Sequence, residues 1–324
     1  MKAIVYTEYG SPTVLQLKEV EKPVLKHNEV LVRIHAAAVT VGDVIIVKGD
    51  PFLTRFWTGL FEPKHQIPGK EMAGRVEAVG GSVAQFRVGD EVFGDLSVCG
   101  LGAFAEYVSV PENAIALKPA NISFEEAASV AESAIVALQG LRDKGKIQAG
   151  QKVLINGASG GVGSFAVQIA KAFGAVVTAV TSTRNLALAR SIGADQVIDY
   201  TQEDFTQNGQ HYDLILAANG YHSISDYRRA LSPNGIYVRT GGSMAQMFQA
   251  MVQGPWISMT GSQTMSNMLL KPNKKDLIFM KELLESGKVV PVIDRCYPLS
   301  EVPEAFRYVE EGHAQGKVVI TIGA

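Results

Sequence analysis

The sequence predicts an α/β fold in which a β-barrel domain is followed by a doubly wound parallel-sheet domain. The first 120 residues consist mainly of β-branched or alternating apolar runs, separated by turns rich in Gly, Pro and Asp; this pattern is typical of an irregular barrel. Near residue 121 the hydrophobic period becomes helical. From there short apolar strands alternate with helices, an arrangement that covers a parallel sheet on both faces.

Composition narrows the class of protein and its partners. The chain has 324 residues, 47% of them hydrophobic, and a net charge of −2; this favours two globular domains and gives no reason to expect nucleic acid as a partner. There is no run of 18 apolar residues, and "MKAIVYTEYG" lacks the pattern of a signal peptide, so we expect no membrane insertion. Two cysteines cannot form a disulfide framework, which favours a cytoplasmic location.

The first predicted domain spans residues 1–120. Its strands are predicted at 2–7, 29–39, 74–80, 91–95 and 104–110. A capping box formed by Ser123 and Glu126 then predicts the start of an apolar helix, which the pattern continues to residue 141. This helix opens the second domain.

The second predicted domain spans residues 121–262. Its strands are predicted at 152–156, 175–181, 196–200, 212–218, 235–240 and 256–261, with helices at 161–173, 184–192 and 223–231. Gly174 and Gly193 end two of these helices at the C′ position. Residues 263–324 hold helices at 274–287 and 300–312, each followed by a strand, the last at 317–322; we expect them to return to the first domain and complete it.

A glycine-rich loop, "NGASGGVG", lies between the strand at 152–156 and the helix at 161–173. Gly160 and Gly163 take the second and third positions of a G-x-G-x-x-G pattern, with Ala158 in the first. Backbone N–H groups in such a loop approach a pyrophosphate at the positive end of the helix dipole. A tight turn without a ligand is the alternative, but six strands in a βαβ series favour a dinucleotide. The predicted contacts are Ala158, Ser159, Gly160, Gly161, Val162 and Gly163.

The type of dinucleotide follows from the end of the second strand of this series. An NAD site usually places Asp or Glu about 20 residues beyond the loop, whereas residues 164–194 contain neither. Ser182 and Arg184 stand there instead, and hydroxyl and guanidinium groups suit a ribose 2′-phosphate. The sequence therefore predicts NADPH, with the alternative that Arg184 only begins a surface helix.

Several spaced motifs resemble one enzyme superfamily over the whole chain. "PGKEMAGRVEAVG", "GDEVFGD", "GAFAEYV", "NGASGGVG" and "GADQVIDY" are similar to the zinc-independent quinone oxidoreductase branch of the medium-chain dehydrogenases/reductases. "PFLTRFWTGLFEPKHQIPGKEMAG" is similar to the reticulon-4-interacting-protein-like NADPH oxidoreductases within it. The resemblance implies a GroES-like catalytic domain and a Rossmann cofactor domain. It also implies that Tyr200 joins Ser182 and Arg184 at the 2′-phosphate, and that Asn219, Gly241 and Gly242 lie beside the nicotinamide; Lys317 is a further predicted cofactor contact.

The same resemblance gives three candidate catalytic residues, Thr40, Asp43 and Lys70. Thr40 and Lys70 stand where the zinc-containing alcohol dehydrogenases have a cysteine and a histidine ligand, and the lobe that binds their structural zinc is missing. We therefore expect no metal. Thr40 would bond the nicotinamide or the substrate carbonyl, Asp43 is equally a buried structural carboxylate, and Lys70 lies near the cofactor or in solvent. Thr40 and Asp43 belong to the stretch "AVTVGD". Quinone oxidoreductases often have tyrosines just after the corresponding stretch, whereas this chain has Val44, Ile45 and Ile46.

The sequence thus predicts an NADPH-dependent, zinc-independent oxidoreductase of small apolar quinones or α,β-unsaturated carbonyls, with the cofactor in a cleft between the domains. Two alternatives stay open: an enoyl-thioester reductase, and a non-catalytic NADPH-binding scaffold or sensor. The aromatic segment 51–61 is interpreted as a flap over the substrate, or else as a hydrophobic loop packed on the barrel. The predicted strand 256–261 would form a sheet edge that pairs in a homodimer.

Overall fold

The computed structural model describes residues 1–220, 222–242, 249, 259 and 261–323. The chain divides into two compact units. The first unit comprises Met1–Glu132, Pro272–Glu285 and Pro291–Ala324, and the second comprises Ser133–Lys271 and Ser286–Val290. Within the described part of the chain, no helix has the length and apolar character needed to cross a membrane.

The first unit is built on a mainly antiparallel sheet of seven strands. Its strands are β3 (Glu29–Val39), β4 (Glu71–Val79), β5 (Glu91–Asp95), β6 (Tyr107–Pro111), β7 (Ile115–Leu117), β14 (Ile293–Pro298) and β15 (Lys317–Thr321). They follow the order β14-β15-β3-β4-β5-β7, with β6 also paired to β3. A separate hairpin joins β1 (Lys2–Val5) to β2 (Gln16–Glu19). Because β15 pairs antiparallel with β3, the C-terminal residues complete the sheet that the N-terminal residues begin.

The helices of the first unit cover an apolar core. They are α1 (Val41–Lys48), α2 (Arg55–Thr58), α3 (Phe124–Ala128), α8 (Lys274–Glu285) and α9 (Val302–Glu310). Helix α9 buries Val302, Ala305, Phe306 and Val309, one stripe at helical spacing. Phe306 meets Phe104 edge to face at 5.7 Å, so this stripe packs into the core of the sheet.

The second unit is a parallel six-stranded sheet with helices. Its strands are β8 (Lys152–Asn156), β9 (Val176–Thr181), β10 (Gln196–Asp199), β11 (Tyr212–Ala217), β12 (Leu231–Arg239) and β13 (Thr264–Asn267), and its helices are α4 (Ser133–Gln139), α5 (Gly161–Ala172), α6 (Leu186–Ser191) and α7 (Ile224–Ala230). The order is β10-β9-β8-β11-β12-β13. The chain therefore moves outward in one direction from β8 and then reverses to β11, the Rossmann order that binds ligands at the reversal. The predicted fold class is confirmed.

Two predicted elements need correction. The helix predicted over 121–141 begins at the predicted capping box, but it stops at Ala128 and resumes only at Ser133. In this break the N–H of Glu132 donates to Glu71 Oε1 at 2.5 Å, so a side-chain acceptor replaces a helical carbonyl. The strand predicted at 256–261 lies mostly outside the described residues, and the sixth strand observed is β13, which the sequence analysis did not predict.

Candidate functional site

The glycine-rich loop presents an uncapped helix N-terminus. Strand β8 ends at Asn156, helix α5 begins at Gly161, and no side chain caps it at Gly160. The first N–H groups of a helix have no intrahelical acceptor. Those of Gly161, Val162 and Gly163 therefore suit an anion placed at the positive end of the helix dipole.

The glycines of this loop serve different purposes. Gly157 has a φ of +84°, a conformation that favours glycine. A Cβ on Gly163 would lie 2.0 Å from the carbonyl oxygen of Gly157, so the helix approaches the loop too closely for any side chain. A Cβ on Gly160 would meet only that same oxygen, at 3.8 Å, and would otherwise point into open space. The open space beside Gly160 fits a pyrophosphate, as the dinucleotide prediction requires.

The loops after β11 and β12 lie beside the glycine-rich loop. The N–H of Asn219 donates to the carbonyl of Asn156 at 3.2 Å, and the N–H of Gly241 donates to the carbonyl of Ala217 at 3.2 Å. The carboxyl ends of β8, β11 and β12 are thus adjacent at one edge of the sheet. Asn219 thus lies next to Gly157 of the glycine-rich loop, and Gly241 lies one strand further along the sheet; a nicotinamide contact by Asn219, Gly241 or Gly242 stays a prediction.

A cluster of hydroxyl and amide groups joins the loop to the end of β9. Thr181 Oγ1 donates to Ser159 Oγ at 2.9 Å, and Asn185 Nδ2 donates to Ser159 Oγ at 2.9 Å and to Ser182 Oγ at 3.2 Å. Asn185 Oδ1 is buried without a hydrogen-bond partner. The cluster fixes Ser182 beside the glycine-rich loop, where the adenosine ribose is expected.

The other two predicted 2′-phosphate contacts, Arg184 and Tyr200, follow the ends of β9 and β10. Arg184 is exposed on the turn after β9. Tyr200 follows β10, its N–H donates to the carbonyl of Thr181 at 3.0 Å, and its side chain is 60% exposed. Both side chains lie at the carboxyl ends of neighbouring strands.

One carboxylate near this position was missed by the sequence analysis. Asp199, at the end of β10, accepts from Thr183 Oγ1 at 2.5 Å and from Thr201 Oγ1 at 2.8 Å. The hydrogen bond from Thr183 is the main cause that holds the pKa of Asp199 below its usual value. Residues 164–194 contain no acid, as stated above, but Asp199 reaches the same edge from the next strand. Both carboxylate oxygens of Asp199 already accept a hydrogen bond from one of these hydroxyls.

In the first unit, Thr40 and Asp43 form a capping box at the start of α1. Thr40 Oγ1 donates to Asp43 Oδ2 at 2.7 Å, and the N–H of Thr40 donates to the same oxygen at 2.8 Å. The N–H of Asp43 donates back to Thr40 Oγ1 at 3.2 Å. Thr40 is 9% exposed and Asp43 is 1% exposed, so the carboxyl is enclosed and the threonine lies closer to the surface.

Asp43 belongs to a larger group of charged side chains in this unit, here called the buried charge cluster. Its members are Asp43, Lys70, Glu71, Asp95, Glu132 and Lys317. Lys70 Nζ donates to Glu132 Oε1 at 2.6 Å, and Lys317 Nζ donates to Glu71 Oε2. Five of the six are among the buried residues of the chain, and the side chain of Glu132 is 16% exposed. Lys70 and Lys317 therefore sit in buried ion pairs, and a cofactor contact by Lys317 stays a prediction.

The cluster contains more carboxyl groups than cations. Burial raises the pKa of Asp43 to about 6 although Lys70 opposes the shift, and burial raises the pKa of Asp95 to about 7. Burial alone would lower the pKa of Lys70, but attraction to Glu132 and Asp43 raises it. Asp43 Oδ1, Asp95 Oδ2 and Glu132 Oε2 are buried without a hydrogen-bond partner. With two lysines and four carboxyls, the cluster favours protons on Asp43 and Asp95.

Sequence reasoning found three members of this cluster and missed Glu71, Asp95 and Glu132. Glu71 and Asp95 are directly paired across β4 and β5, and each stands at one end of its strand, Glu71 at the start of β4 and Asp95 at the end of β5. Charged residues at strand ends are usually exposed, so no local pattern indicated that these two residues are buried. Glu132 enters the cluster through the break between α3 and α4, which the continuous helical pattern concealed.

The aromatic segment 51–61 leaves most of its apolar side chains exposed. The exposed residues are Phe52, Leu53, Phe56, Trp57, Leu60 and Phe61, with Trp57 at 76% and Phe61 at 88%. Tyr9 anchors the segment, because its hydroxyl donates to the carbonyl of Gly59 at 2.6 Å and its ring lies 4.5 Å from the Arg55 guanidinium. The alternative of a loop packed on the barrel is therefore wrong for these side chains.

The donor groups of the described residues do not suit a metal. Across residues 1–220, 222–242 and 261–323, no three or more His, Cys, Asp or Glu side chains are grouped so that they could hold a metal ion. Both cysteines are free, with Cys99 partly buried and Cys296 exposed.

Comparisons with known proteins agree with this architecture. Residues 26–120 match the family described as "Alcohol dehydrogenase GroES-like domain", and residues 192–320 match "Zinc-binding dehydrogenase". The chain is 38% identical to the 2-methylene-furan-3-one reductase of Solanum lycopersicum, over 99% of this chain and 79% of that protein. It is 34% identical to the chloroplast envelope quinone oxidoreductase homolog of Arabidopsis thaliana, over 99% and 98%.

Solved structures extend the comparison. The quinone oxidoreductase from Coxiella burnetii has a TM-score of 0.88 at 29% identity and covers 100% of this chain and 99% of its own. The CurK enoyl reductase has a TM-score of 0.83 at 27% identity, with 99% of each chain covered. The GroES-like and Rossmann units, with relatives matched over the whole chain, place this protein among the medium-chain dehydrogenases/reductases.

Proposed function

We propose that this protein is an NADPH-dependent, zinc-independent oxidoreductase that transfers hydride to quinones or α,β-unsaturated carbonyls. The observation that carries the proposal is that α5 begins uncapped after the glycine-rich loop and that Asn185 donates both to Ser159 in that loop and to Ser182. Relatives support it by name. One, at 34% identity, is the NADPH-dependent alkenal/one oxidoreductase of Arabidopsis thaliana.

NADPH would be held by groups of three kinds. Backbone N–H groups of Gly161–Gly163 would bind the pyrophosphate, and Arg184 with Ser182 and Tyr200 would bind the 2′-phosphate. Asn219 and Gly241 would lie beside the nicotinamide. When bound, the cofactor supplies the hydride, and the chain orients it.

The acceptor would be reduced without a metal. In the zinc-containing alcohol dehydrogenases a Lewis acid polarises the carbonyl, and their catalytic site holds the zinc with three protein ligands. Thr40 and Lys70 stand where the zinc enzymes have ligands, and an ammonium group that donates to Glu132 cannot serve as one. A quinone or enone accepts hydride directly, and the Thr40 hydroxyl would hydrogen bond to the oxygen on which charge develops.

The aromatic segment 51–61 would form an apolar wall for this acceptor. Its exposed Phe, Trp and Leu side chains suit a flat, apolar molecule. A small apolar quinone or conjugated carbonyl fits this surface better than a polar or charged substrate.

A panel of acceptors tests the proposal. NADPH oxidation is followed by absorbance with quinones, enones, an unactivated ketone and an enoyl thioester, before and after exhaustive EDTA treatment. We expect turnover of quinones or enones that survives EDTA, and little turnover of the ketone.

An enoyl-thioester reductase is the second candidate, favoured by the likeness to the CurK enoyl reductase; preferred turnover of the thioester would select it. NADPH binding without turnover of any acceptor would indicate a scaffold or sensor.

The assembly and location of the protein are further parts of the proposal. Strand β13 ends the sheet among the described strands, and an uncovered edge strand favours pairing with a second copy. We propose a homodimer, which light scattering at micromolar concentration tests directly; a monomer would contradict it. Two free cysteines are compatible with a cytoplasmic location.

A further inference from the structure

The proposed reaction needs a proton, and α1 carries no tyrosine that could supply it. Reduction of an enone places negative charge on its carbonyl oxygen, and a general acid there commonly speeds the reaction. Val44, Ile45 and Ile46 occupy the positions after Asp43 on α1. The buried charge cluster is a group of ionisable side chains to which the proposed function gives no task.

We propose that Asp43 stores this proton and delivers it through the Thr40 hydroxyl to the oxygen of the reduced acceptor. The inference rests on the proposed function. Bound NADPH would supply a hydride, with its two electrons, to the β-carbon of the acceptor, which would thereby become an enolate. The enolate oxygen then takes the hydroxyl proton of Thr40 while Thr40 Oγ1 takes the proton of Asp43. The enol converts to the saturated carbonyl, and the Asp43 carboxylate regains a proton from water.

The geometry supplies the path. Thr40 Oγ1 and Asp43 Oδ2 are 2.7 Å apart, a distance that serves a proton moving in either direction. Thr40 is 9% exposed and Asp43 is 1% exposed, so an acceptor would reach Thr40 before the enclosed carboxyl. In the proposed relay Thr40 would therefore touch the acceptor, and Asp43 would act through it.

The surroundings of Asp43 keep a proton available. The charged and titratable groups that face Asp43 are Tyr6 after β1, Lys70 before β4, Glu132 between α3 and α4, and Thr40 as hydrogen-bond partner. Burial raises the pKa of Asp43 to about 6, Lys70 lowers it, and Glu132 raises it again. A pKa of about 6 lets the group gain and lose a proton near neutral pH. Glu132 is a poor proton donor, because burial would raise its pKa but the opposing effect of Lys70 lowers it.

A purely structural capping box is the competing explanation, and the chain contains one for comparison. At the start of α7, Ser223 Oγ donates to Asp226 Oδ2 at 2.7 Å, the same contact as in the Thr40–Asp43 pair. The Asp226 side chain is 30% exposed and pairs with Arg229, and its hydrogen bond with Ser223 lowers its pKa. Asp226 thus caps a helix without belonging to a buried cluster.

The experiment compares the kcat for an enone across pH 5–9 in the wild type and in D43N, T40V, T40S and D226N, with NADPH affinity measured for each. We expect the wild-type kcat to fall as pH rises above about 6, because Asp43 loses its proton there. D43N and T40V should lower kcat by roughly 100-fold and remove this pH dependence, while leaving NADPH affinity unchanged. T40S keeps the hydroxyl and should retain most of the activity, and D226N should behave as the wild type.

The outcomes separate this inference from the proposed function. Wild-type turnover together with a D43N or T40V variant that keeps the full kcat and its pH dependence would overturn the relay and leave the function standing. If D43N fails to fold, T40V against T40S decides, because that pair differs in the hydroxyl while Asp43 is kept. Absence of NADPH oxidation by the wild type with every quinone and enone would overturn both.

Discussion

At the residue scale, cofactor choice depends on Arg184. A hydrogen bond to a charged group contributes about 1.5–3 kcal/mol, so Arg184→Ala should weaken NADPH binding by about 10- to 150-fold. NADH lacks the 2′-phosphate, and its binding should barely change. Titration calorimetry with both cofactors measures the difference. Arg190→Ala is the matched control, since Arg190 is an exposed arginine at the far end of α6. Equal losses of affinity for NADPH and NADH would contradict the assignment of Arg184 to the 2′-phosphate.

Asp95 gives a second prediction at this scale, on stability. Burial raises its pKa to about 7, above the value near 3.9 of an unfolded chain, so the folded state binds the proton more tightly. Protonation of Asp95 therefore stabilises the folded state. This stabilisation is complete below about pH 4 and is lost as pH rises through about 7, a change of up to about 4 kcal/mol in the free energy of unfolding. Asp95→Asn should flatten that dependence.

Urea unfolding at pH 5 and pH 8 measures this change in the wild type and the variant. Asp143→Asn, which alters an exposed carboxylate paired with Arg142, serves as the control and should keep the wild-type slope. A wild-type protein that is equally stable at both pH values, with no effect of the Asp95 substitution, would show that Asp95 titrates normally.

At the element scale, two substitutions in the glycine-rich loop should have different effects, one on stability and the other on NADPH binding. Gly163→Ala places a Cβ 2.0 Å from a backbone oxygen, so α5 must move away from the loop. Such overpacking should lower the free energy of unfolding by about 1–3 kcal/mol or more. Gly160→Ala meets nothing closer than 3.8 Å and should leave the melting temperature nearly unchanged. Its methyl group would enter the pyrophosphate space and weaken NADPH binding by about tenfold or more. If Gly160→Ala binds NADPH normally, the pyrophosphate lies elsewhere.

The segment 51–61 carries the prediction on acceptors. Trp57 is 76% exposed, so Trp57→Ala should not change stability. If its ring covers an apolar acceptor, the loss of about 1.5–3 kcal/mol of burial free energy should raise KM for a large apolar quinone by about 10- to 150-fold. KM for NADPH should be unaffected. Val24→Ala, at a residue that is 84% exposed, is the control, and a KM for the quinone that Trp57→Ala leaves unchanged would exclude the wall.

Elements with a clear period were predictable, whereas those fixed by tertiary contacts were not. The loop between β8 and α5 and the capping box at Ser123 were confirmed because their signals are local. The break at Glu132 is stabilised by Glu71, a residue 61 positions away in sequence, so no local pattern could indicate it. Asp199 was missed for the same reason, since it reaches the ribose position from a neighbouring strand.

At the scale of the whole molecule, the two units divide the work. The second unit supplies an edge of parallel strands that suits a dinucleotide, and the first supplies a buried charge cluster with Thr40 at its outer side. The hydrophobic periods of the sequence predicted the fold class. The spacing around the glycine-rich loop indicated the pyrophosphate and ribose contacts, and the family resemblance implied Tyr200, Asn219, Gly241 and Gly242; these contacts stay predictions. The charge cluster came only from the structure, because its members derive from strands β4, β5 and β15 and from the break after α3.

The most direct test of the central claim follows the hydride itself. Metal-stripped protein is given an enone and NADPH deuterated at both C4 positions of the nicotinamide, and the product is analysed by mass spectrometry. The account predicts one deuterium at the β-carbon of the saturated product, at an undiminished rate in the presence of EDTA. A product without deuterium, or turnover that stops with EDTA and returns with zinc, would contradict it.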